Sequence, residues 1–416
     1  MPLTNNILVE FNCPINQLSS WLENTVINNK KYPASKVVII TDEQIFSSLY
    51  KLIDKEFLAN FTIITLVKPV ASVEFANETL EKYKEKYKNF RQNIWQNCQL
   101  LIALGSGTIT DLTKYLASQI NIDFLAVPSA TSMNGYLSAT ASLTENEHKK
   151  SLKCRQAVAV FADLELIYMA PTPLNLAGIA DSLAFYSCCF DWLLSHYIFN
   201  RPINILALNI INNSLNDFLD NYQKYSISSK ELLKKLLLVL LEMGIAMNID
   251  QSSNPASQSE HLIAHSLTMH KPKLLEKLYH GQQIAFTLPI SLDLQRQLLK
   301  AKSLQPLNLQ YPSQEIIKNF GAKIEQEANK EFSEKMQIIQ NNQKKERWQD
   351  FLKEITSKYA FFQRSDSEII AILDHFNIGH DIYQLEISKS ELGTIINLAR
   401  FLRNRITCLD FINFNN

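Results

Sequence analysis

Through its first 165 residues the chain alternates short apolar runs with longer polar stretches. The runs "KVVII" (36–40), "FTIITL" (61–66), "LLIAL" (100–104) and "FLAV" (124–127) are largely β-branched or leucine-rich and almost free of polar positions. Such runs predict strands buried on both faces. The stretches between them, such as "ANETLEKYKEKYKNFRQNIWQN" (76–97), favour helix. This alternation predicts a parallel, doubly wound sheet, a fold class that binds ligands beyond the carboxyl ends of its strands. Residues 135–167 carry no helical period and predict a hairpin that returns to a last strand at 156–161.

After "MAPTPLNLAGIAD" (169–181) the period changes, with Pro171 and Pro173 as punctuation. Residues 179–197, 203–223, 229–248, 257–270, 281–299, 345–360 and 389–405 carry apolar positions at helical spacing. We therefore expect an α/β domain over residues 1–168 and an all-α domain over residues 169–416. The stretch 322–350 is charged at both signs and reads as an exposed helical face or an insertion. No internal repeat or low-complexity tract interrupts this plan.

Composition narrows the function classes. A 416-residue chain with 46% apolar and 20% charged residues is an ordinary globular one, long enough for two or three domains. A formal net charge of zero provides no broad electrostatic footprint for nucleic acid. The six cysteines form no CxxC pair and read as reduced thiols, which places the expected location in the cytoplasm. The start "MPLTNNILVEF" lacks a signal-peptide layout, and the apolar stretch "LLKKLLLVLLEMGIAM" (232–247) is broken by lysines and a glutamate. No membrane span is expected.

Three constellations carry chemistry. Two of only nine glycines sit in "LIALGSGTITDLTKYLA" (101–117), where a strand turns into a helix. Gly105 and Gly107 there make either a phosphate cradle or a tight corner: glycine admits close backbone approach, and a helix start offers unpaired N–H groups to an anion. One strand later, "VPSATSMNGY" (127–136) gathers Ser129, Thr131 and Ser132 before Asn134, which suits either phosphate and ribose contacts or an ordinary turn. Finally, four of the eight histidines, His261, His265, His270 and His280, fall within twenty residues. His261 and His265 are i and i+4 on a predicted helix, and His280 starts another. Two imidazoles and one carboxylate make a three-ligand catalytic metal site. Asp181, flanked by apolar and small residues, is the candidate carboxylate, with helix capping as the other reading.

Together these pieces resemble the sn-glycerol-1-phosphate dehydrogenase family, its bacterial branch most closely. That family belongs to the iron-containing (group III) alcohol dehydrogenase superfamily and is related to glycerol dehydrogenase and 3-dehydroquinate synthase. The resemblance rests on "GSGTITD" (105–111), "VPSATSMNGY" (127–136), "APTPLNLAGIADSLAFYSCCFDW" (170–192), "SSNPASQSEHLIAHSL" (252–267), "HGQQIAF" (280–286) and "ARFLRNRITCLDF" (399–411), in family order. It implies a dehydroquinate synthase-like fold: a Rossmann-like dinucleotide-binding domain, then a helical metal- and substrate-binding domain, with the active site in the cleft between. It implies NAD or NADP, one divalent metal (zinc, nickel or iron), a small-molecule substrate and a homo-oligomer, dimer or larger.

The resemblance assigns residues as follows. Gly105, Gly107, Thr108, Ile109, Thr110 and Asp111 match the pyrophosphate loop, and Asp42 matches an acidic residue on the adenosine ribose. Ser129, Thr131, Ser132 and Ser138 match further cofactor contacts. Asp181, His261 and His280 match the metal ligands, and His265 and Asn134 match substrate contacts, with His265 and Asp181 at the chemistry. The implied reaction is NAD(P)H-linked interconversion of dihydroxyacetone phosphate and sn-glycerol 1-phosphate. A divalent ion held by one carboxylate and two neutral imidazoles is a net +1 centre that favours a developing oxyanion.

The chain departs from the family pattern at three places. Asn134 stands where aspartate is usual, Gln258 where glycine is common, and Phe185 where a lysine one turn after Asp181 meets a substrate phosphate. The His261–His280 spacing is also a few residues longer than usual. These changes bring in a second expectation, the same hydride chemistry on an unphosphorylated polyol or carbonyl. A lyase of the 3-dehydroquinate synthase type and a non-catalytic descendant complete the alternatives.

Overall fold

Strand residues of alternating parity explain the first half of the chain. In the computed structural model, which describes residues 7–11, 13–86, 94–227, 229–304, 310–342, 347–360, 364–412 and 414, eight strands form. They are β1 (Leu8–Glu10), β2 (Val37–Asp42), β3 (Thr62–Leu66), β4 (Leu100–Gly105), β5 (Asp123–Pro128), β6 (Thr140–Glu145), β7 (His148–Lys153) and β8 (Ala159–Phe161). Six of them make one sheet in the order β1-β8-β5-β4-β2-β3, with every pair parallel; β6 and β7 make the expected hairpin. Leu101, Ala103, Phe124 and Ala126 enter one apolar cluster, whereas Leu100, Ile102, Leu104, Leu125 and Val127 enter the other. Both faces are thus covered, as the unbroken apolar runs require.

The sheet is covered by α1 (Leu18–Asn24), α2 (Glu43–Leu49), α3 (Lys55–Asn60), α4 (Val73–Lys86), α5 (Ile94–Asn97), α6 (Gly107–Gln119) and α7 (Leu164–Tyr168). Residues 87–93 of the stretch expected to favour helix lie outside the described residues. The rest of the chain is α8 (Thr172–Phe199), α9 (Ile205–Leu219), α10 (Lys230–Asp250), α11 (Ser259–His270), α12 (Pro272–Leu275), α13 (His280–Leu299), α14 (Ser313–Phe320), α15 (Ala322–Asn342), α16 (Trp348–Thr356), α17 (Asp366–His375) and α18 (Lys389–Ala399), with short 3-10 turns between. Residues 343–346, which the helical readings of 322–350 and 345–360 included, are likewise outside the described set. Among the described residues no helix is long and apolar enough to cross a membrane.

Two compact units result. The first comprises residues 1–145, 149–178 and 214–251, so α10 joins the sheet. Its Leu233, Leu237, Leu241 and Ile245, spaced one turn apart, pack into the cluster that α4 and α6 also cover. The second comprises residues 146–148, 179–213 and 252–416 and is helical.

In the first unit, helices leave neighbouring strands toward opposite faces. Ile45 and Leu49 of α2, after β2, pack on one cluster; Ile109, Leu112 and Leu116 of α6, after β4, enter the other. β2 and β4 are adjacent. This is a topological switch point, where open parallel sheets leave a crevice at their carboxyl ends.

In the second unit, α8, α11 and α13 meet through Ala184, Cys188, Ala264 and Ile284. Small side chains at three of these four positions let the helices approach closely. The charged stretch expected as an exposed face is more than that. Ile324, Ala328 and Phe332, one turn apart on α15, pack with Ile316, Phe320, Leu398 and Phe401. Its Lys335 is fully buried on Asp410 at 2.8 Å.

Candidate active site

The small-residue contact of α8, α11 and α13 places three side chains. Asp181, His261 and His280 each lie one turn before a member of it, namely Ala184, Ala264 and Ile284. They therefore converge: His261 Nε2 lies 3.6 Å and His280 Nε2 3.7 Å from Asp181 Oδ1, and the three donor atoms lie within 4.8 Å of one another. These spacings are too long for hydrogen bonds. They suit donors that each approach one ion to about 2 Å, and one carboxylate with two imidazoles is a fitting ligand set for zinc, nickel or ferrous iron. Asp181 and His261 are buried, whereas 42% of the His280 side chain is exposed, so the group opens on one side.

Asp181 does not cap its helix. α8 begins at Thr172 with Pro173 in its first turn, where the missing N–H costs nothing, and Asp181 sits in the third turn. Pro171 thus lies between α7 and α8, and Pro173 starts the new helix.

Glu260, which was not singled out from the sequence, completes the electrostatics. It is fully buried, and its Oε1 lies 2.7 Å from His261 Nδ1. Burial alone would raise the Glu260 carboxyl, but contact with His261 outweighs it and brings the pKa down to about 2. Burial likewise disfavours the imidazolium, yet the charges of Asp181 and Glu260 lift His261 to about 9. The same pull acts on any cation placed there. The signal in the sequence was the pair Glu260-His261 at the start of α11, but nothing in its spacing says which way the carboxylate turns.

His265, one turn further along α11, is half-buried, and its ring meets that of His261 edge-on with centroids 6.4 Å apart. His270 ends the helix and is not part of the three-ligand group. Phe185, one turn after Asp181, is fully buried with its ring edge-on to Tyr186.

In the first unit, the other predicted residues gather at the carboxyl ends of β2, β4 and β5. Asp42 ends β2 and caps α2, accepting the Ile45 N–H at 2.9 Å. Gly105 ends β4 beside Pro128 of β5, and Thr108, Ile109, Thr110 and Asp111 lie in the opening turns of α6. A Cβ on Gly105 would stand 2.4 Å from Ile109 Cβ, and one on Gly107 2.9 Å from Met133 Sδ. Packing thus requires glycine at 105, whereas at 107 only the flexible Met133 side chain would have to shift. The start of α6 nevertheless has no side-chain cap, so its first N–H groups still face outward from the helix end toward any anion there.

The hydroxyl-rich loop is tightly held. Thr131 is pinned to Asn175: its N–H donates to Asn175 Oδ1 and its Oγ1 donates to Asn175 O, both at 2.9 Å. Ser132 Oγ lies 3.2 Å from Tyr136 Oη, and Ser129 N–H bonds Gly105 O at 3.1 Å. The Lys114 ammonium, fully buried, donates to Gly135 O (2.7 Å), Thr140 O (2.8 Å), Ser138 Oγ (3.2 Å) and Asp111 Oδ1 (3.2 Å). Asp111 Oδ2 accepts the Ser142 N–H at 3.1 Å. Asp111 and Ser138 therefore fasten the loop that carries the half-buried Asn134.

The profile of the iron-containing alcohol dehydrogenase family matches residues 22–171. Among proteins of assigned function, the chain is similar to glycerol-1-phosphate dehydrogenases. The one from Geobacillus thermodenitrificans is 28% identical over 67% of this chain and 67% of its own length. Those from Thermococcus sibiricus and Pyrococcus furiosus are 31% and 36% identical, over 52% and 44% of this chain and 59% and 52% of theirs. The match thus spans between half and two thirds of these relatives. Among solved structures, a probable glycerol dehydrogenase from Sinorhizobium meliloti superposes with a TM-score of 0.62 at 15% identity, covering 98% of this chain and 92% of that one. The glycerol dehydrogenase of Schizosaccharomyces pombe gives 0.57 at 14%, covering 92% and 80%. The chain is thus similar in sequence to iron-containing alcohol dehydrogenases over residues 22–171 and to glycerol-1-phosphate dehydrogenases over 44–67% of its length, and its fold is like that of the glycerol dehydrogenases.

Proposed function

We propose that this chain is a metal-dependent, NAD(P)H-linked oxidoreductase that interconverts dihydroxyacetone phosphate and sn-glycerol 1-phosphate. The convergence of Asp181, His261 and His280 carries this reading. These three residues would hold the divalent ion, which when bound supplies Lewis-acid polarisation of the substrate carbonyl. NADH or NADPH supplies the hydride. Residues 1–168 would bind the dinucleotide: the N–H groups at the start of α6 face the pyrophosphate, and Asp42 accepts from the adenosine ribose. Thr131, Ser129 and Ser132 line the same strand ends. Within residues 169–416, His265 holds the proton that the product alcohol gains, from a position one turn beyond His261. Asn134 orients a substrate hydroxyl. We place the enzyme in the cytoplasm as a dimer or larger homo-oligomer; its six cysteines are free thiols, consistent with that compartment.

One observation favours a second reading of the substrate. Phe185 is fully buried against Tyr186, so this position of α8 presents no cation to a phosphate. An unphosphorylated carbonyl would fit such a surface better. Both readings are tested by following NADH and NADPH oxidation with metal-loaded protein against dihydroxyacetone phosphate and unphosphorylated dihydroxyacetone. Faster turnover of the phosphate ester supports the first reading, and faster turnover of the free ketone the second. Oxidation with neither, across a wider carbonyl panel, would overturn both.

A further inference from the structure

Glu260 is a carboxylate with no exposure, held inside a helical unit. Removing such a group from water costs several kcal/mol unless its lone pairs are filled. Here they are: Oε1 accepts from Gln258 N–H (2.8 Å), Cys188 Sγ–H (3.1 Å) and His261 Nδ1–H (2.7 Å), and Oε2 accepts from Ser187 Oγ–H (2.7 Å). Ser187 is itself fixed, by Ser291 Oγ at 2.8 Å and Gln295 Nε2 at 3.1 Å. The carboxylate therefore cannot turn away from His261.

This has a chemical consequence for the imidazole. An ionised carboxylate only accepts, so Nδ1 must carry the hydrogen. A neutral imidazole has one N–H, so its lone pair is left on Nε2, the atom that faces Asp181 Oδ1 at 3.6 Å. A donor bond to a carboxylate also raises the basicity of the far nitrogen. With Glu260 counted, a divalent ion at this site is balanced by two carboxylates, Asp181 and Glu260, rather than one. The net +1 centre counted from the three ligands becomes neutral.

We propose that Glu260 is the positioning residue of the metal site: it fixes the ligating tautomer of His261 and supplies the second negative charge that retains the ion. This rests on the reading of Asp181, His261 and His280 as ligands. A purely structural role is the competing account, because Glu260 also accepts the N–H that precedes α11.

Zinc binding by the whole protein separates the accounts. Wild type, Glu260→Gln and Glu260→Ala are stripped of metal and titrated with Zn²⁺ against a chromophoric chelator, and the metal-free melting temperature of each is recorded. Glutamine keeps the shape and an acceptor for Gln258 but loses the charge. We expect it to bind zinc about 10-fold more weakly than wild type, and alanine about 100-fold, with the metal-free melting temperature of Glu260→Gln unchanged. Equal zinc affinity in wild type and both variants overturns the proposal and leaves the ligand assignment standing. So does a loss that follows only the metal-free melting temperature. No uptake of zinc, nickel or ferrous iron by wild type overturns the ligand assignment and the proposal together. If Glu260→Ala does not fold, Glu260→Gln alone decides.

Discussion

Lys114 offers the sharpest test of how the sheet-bearing unit is held. Its ammonium is fully buried and donates to four acceptors: the carbonyls of Gly135 and Thr140, the Ser138 hydroxyl, and Asp111, whose side chain is only 9% exposed. Lys114→Met keeps the volume and removes every one of these bonds. The Asp111 carboxylate is then left with the Ser142 N–H as its one hydrogen-bond donor among those described. Stranding one partner of a buried pair costs about 3–5 kcal/mol, less whatever is recovered by no longer burying the ammonium. For a unit of about two hundred residues, each kcal/mol moves the melting temperature by roughly 2–4 °C, so a fall of about 6–20 °C is expected. Urea and thermal melts of wild type, Lys114→Met, Asp111→Asn and the double variant measure it. The double variant should lose less than the sum of the singles, by about 1–3 kcal/mol, because the stranded charge is gone. A loss under about 1 kcal/mol for Lys114→Met, or strictly additive effects, would refute the reasoning.

Two further predictions follow from buried groups elsewhere. Asp191 accepts from Ser259 and from the Cys408 N–H at 2.8 Å, and burial raises its pKa to about 7. A carboxyl raised in the folded state stabilises fully below its unfolded value near 4 and loses that contribution as pH climbs through about 7. Wild-type stability measured relative to Asp191→Asn should therefore fall by about 2–3 kcal/mol between pH 5 and 8, and a flat difference would show that Asp191 is ionised throughout. In the other unit, a Cβ at Gly178 would stand 2.2 Å from Thr131 O and 2.8 Å from Leu240 Cδ1. The Thr131 backbone is pinned by Asn175, so Gly178→Ala should cost about 1–3 kcal/mol and weaken NADH binding; a variant melting with wild type would mean the loop moves freely.

The strands of the sheet could be read from sequence because burial on both faces leaves almost no polar residue in them. β1 could not: Leu8–Glu10 offers two apolar residues in three, too few for any period. Length limited the helices in the same way. α14 and α17 escaped notice at eight and ten residues, although the Ser365–Glu368 capping box marks the start of α17. The ligand candidates were visible as residue types, and the helical spacing of His261 and His265 was correct, yet their convergence depends on Ala184 and Ala264 facing each other across helices. What stayed hidden was anything set by side-chain direction. Lys114, Glu260 and Asp191 are ordinary charged letters in the sequence, and only the fold shows them buried.

Glu260 and Asp191 are linked. In the helical unit a line of contacts runs from His261 through Glu260, Ser187, Ser291 and Ser259 to Asp191 and the Cys408 N–H. The donors and acceptors along it can be counted. If Asp191 holds a proton, it donates to Ser259, which donates to Ser291, then Ser187, then Glu260, so every hydroxyl donates one bond along the line, while Gln295 Nε2 donates to Ser187 and Ser259 as well. Burial favours that state by raising Asp191, while His261 favours an ionised Glu260 at the other end. Two carboxylates 69 positions apart in the chain thus share one proton's worth of neutrality through three serines. Such a network costs more to bury than an apolar core of the same shape and gives little net stability. Its retention is explained if its product is geometric: Glu260 held still, and with it the His261 nitrogen that faces Asp181.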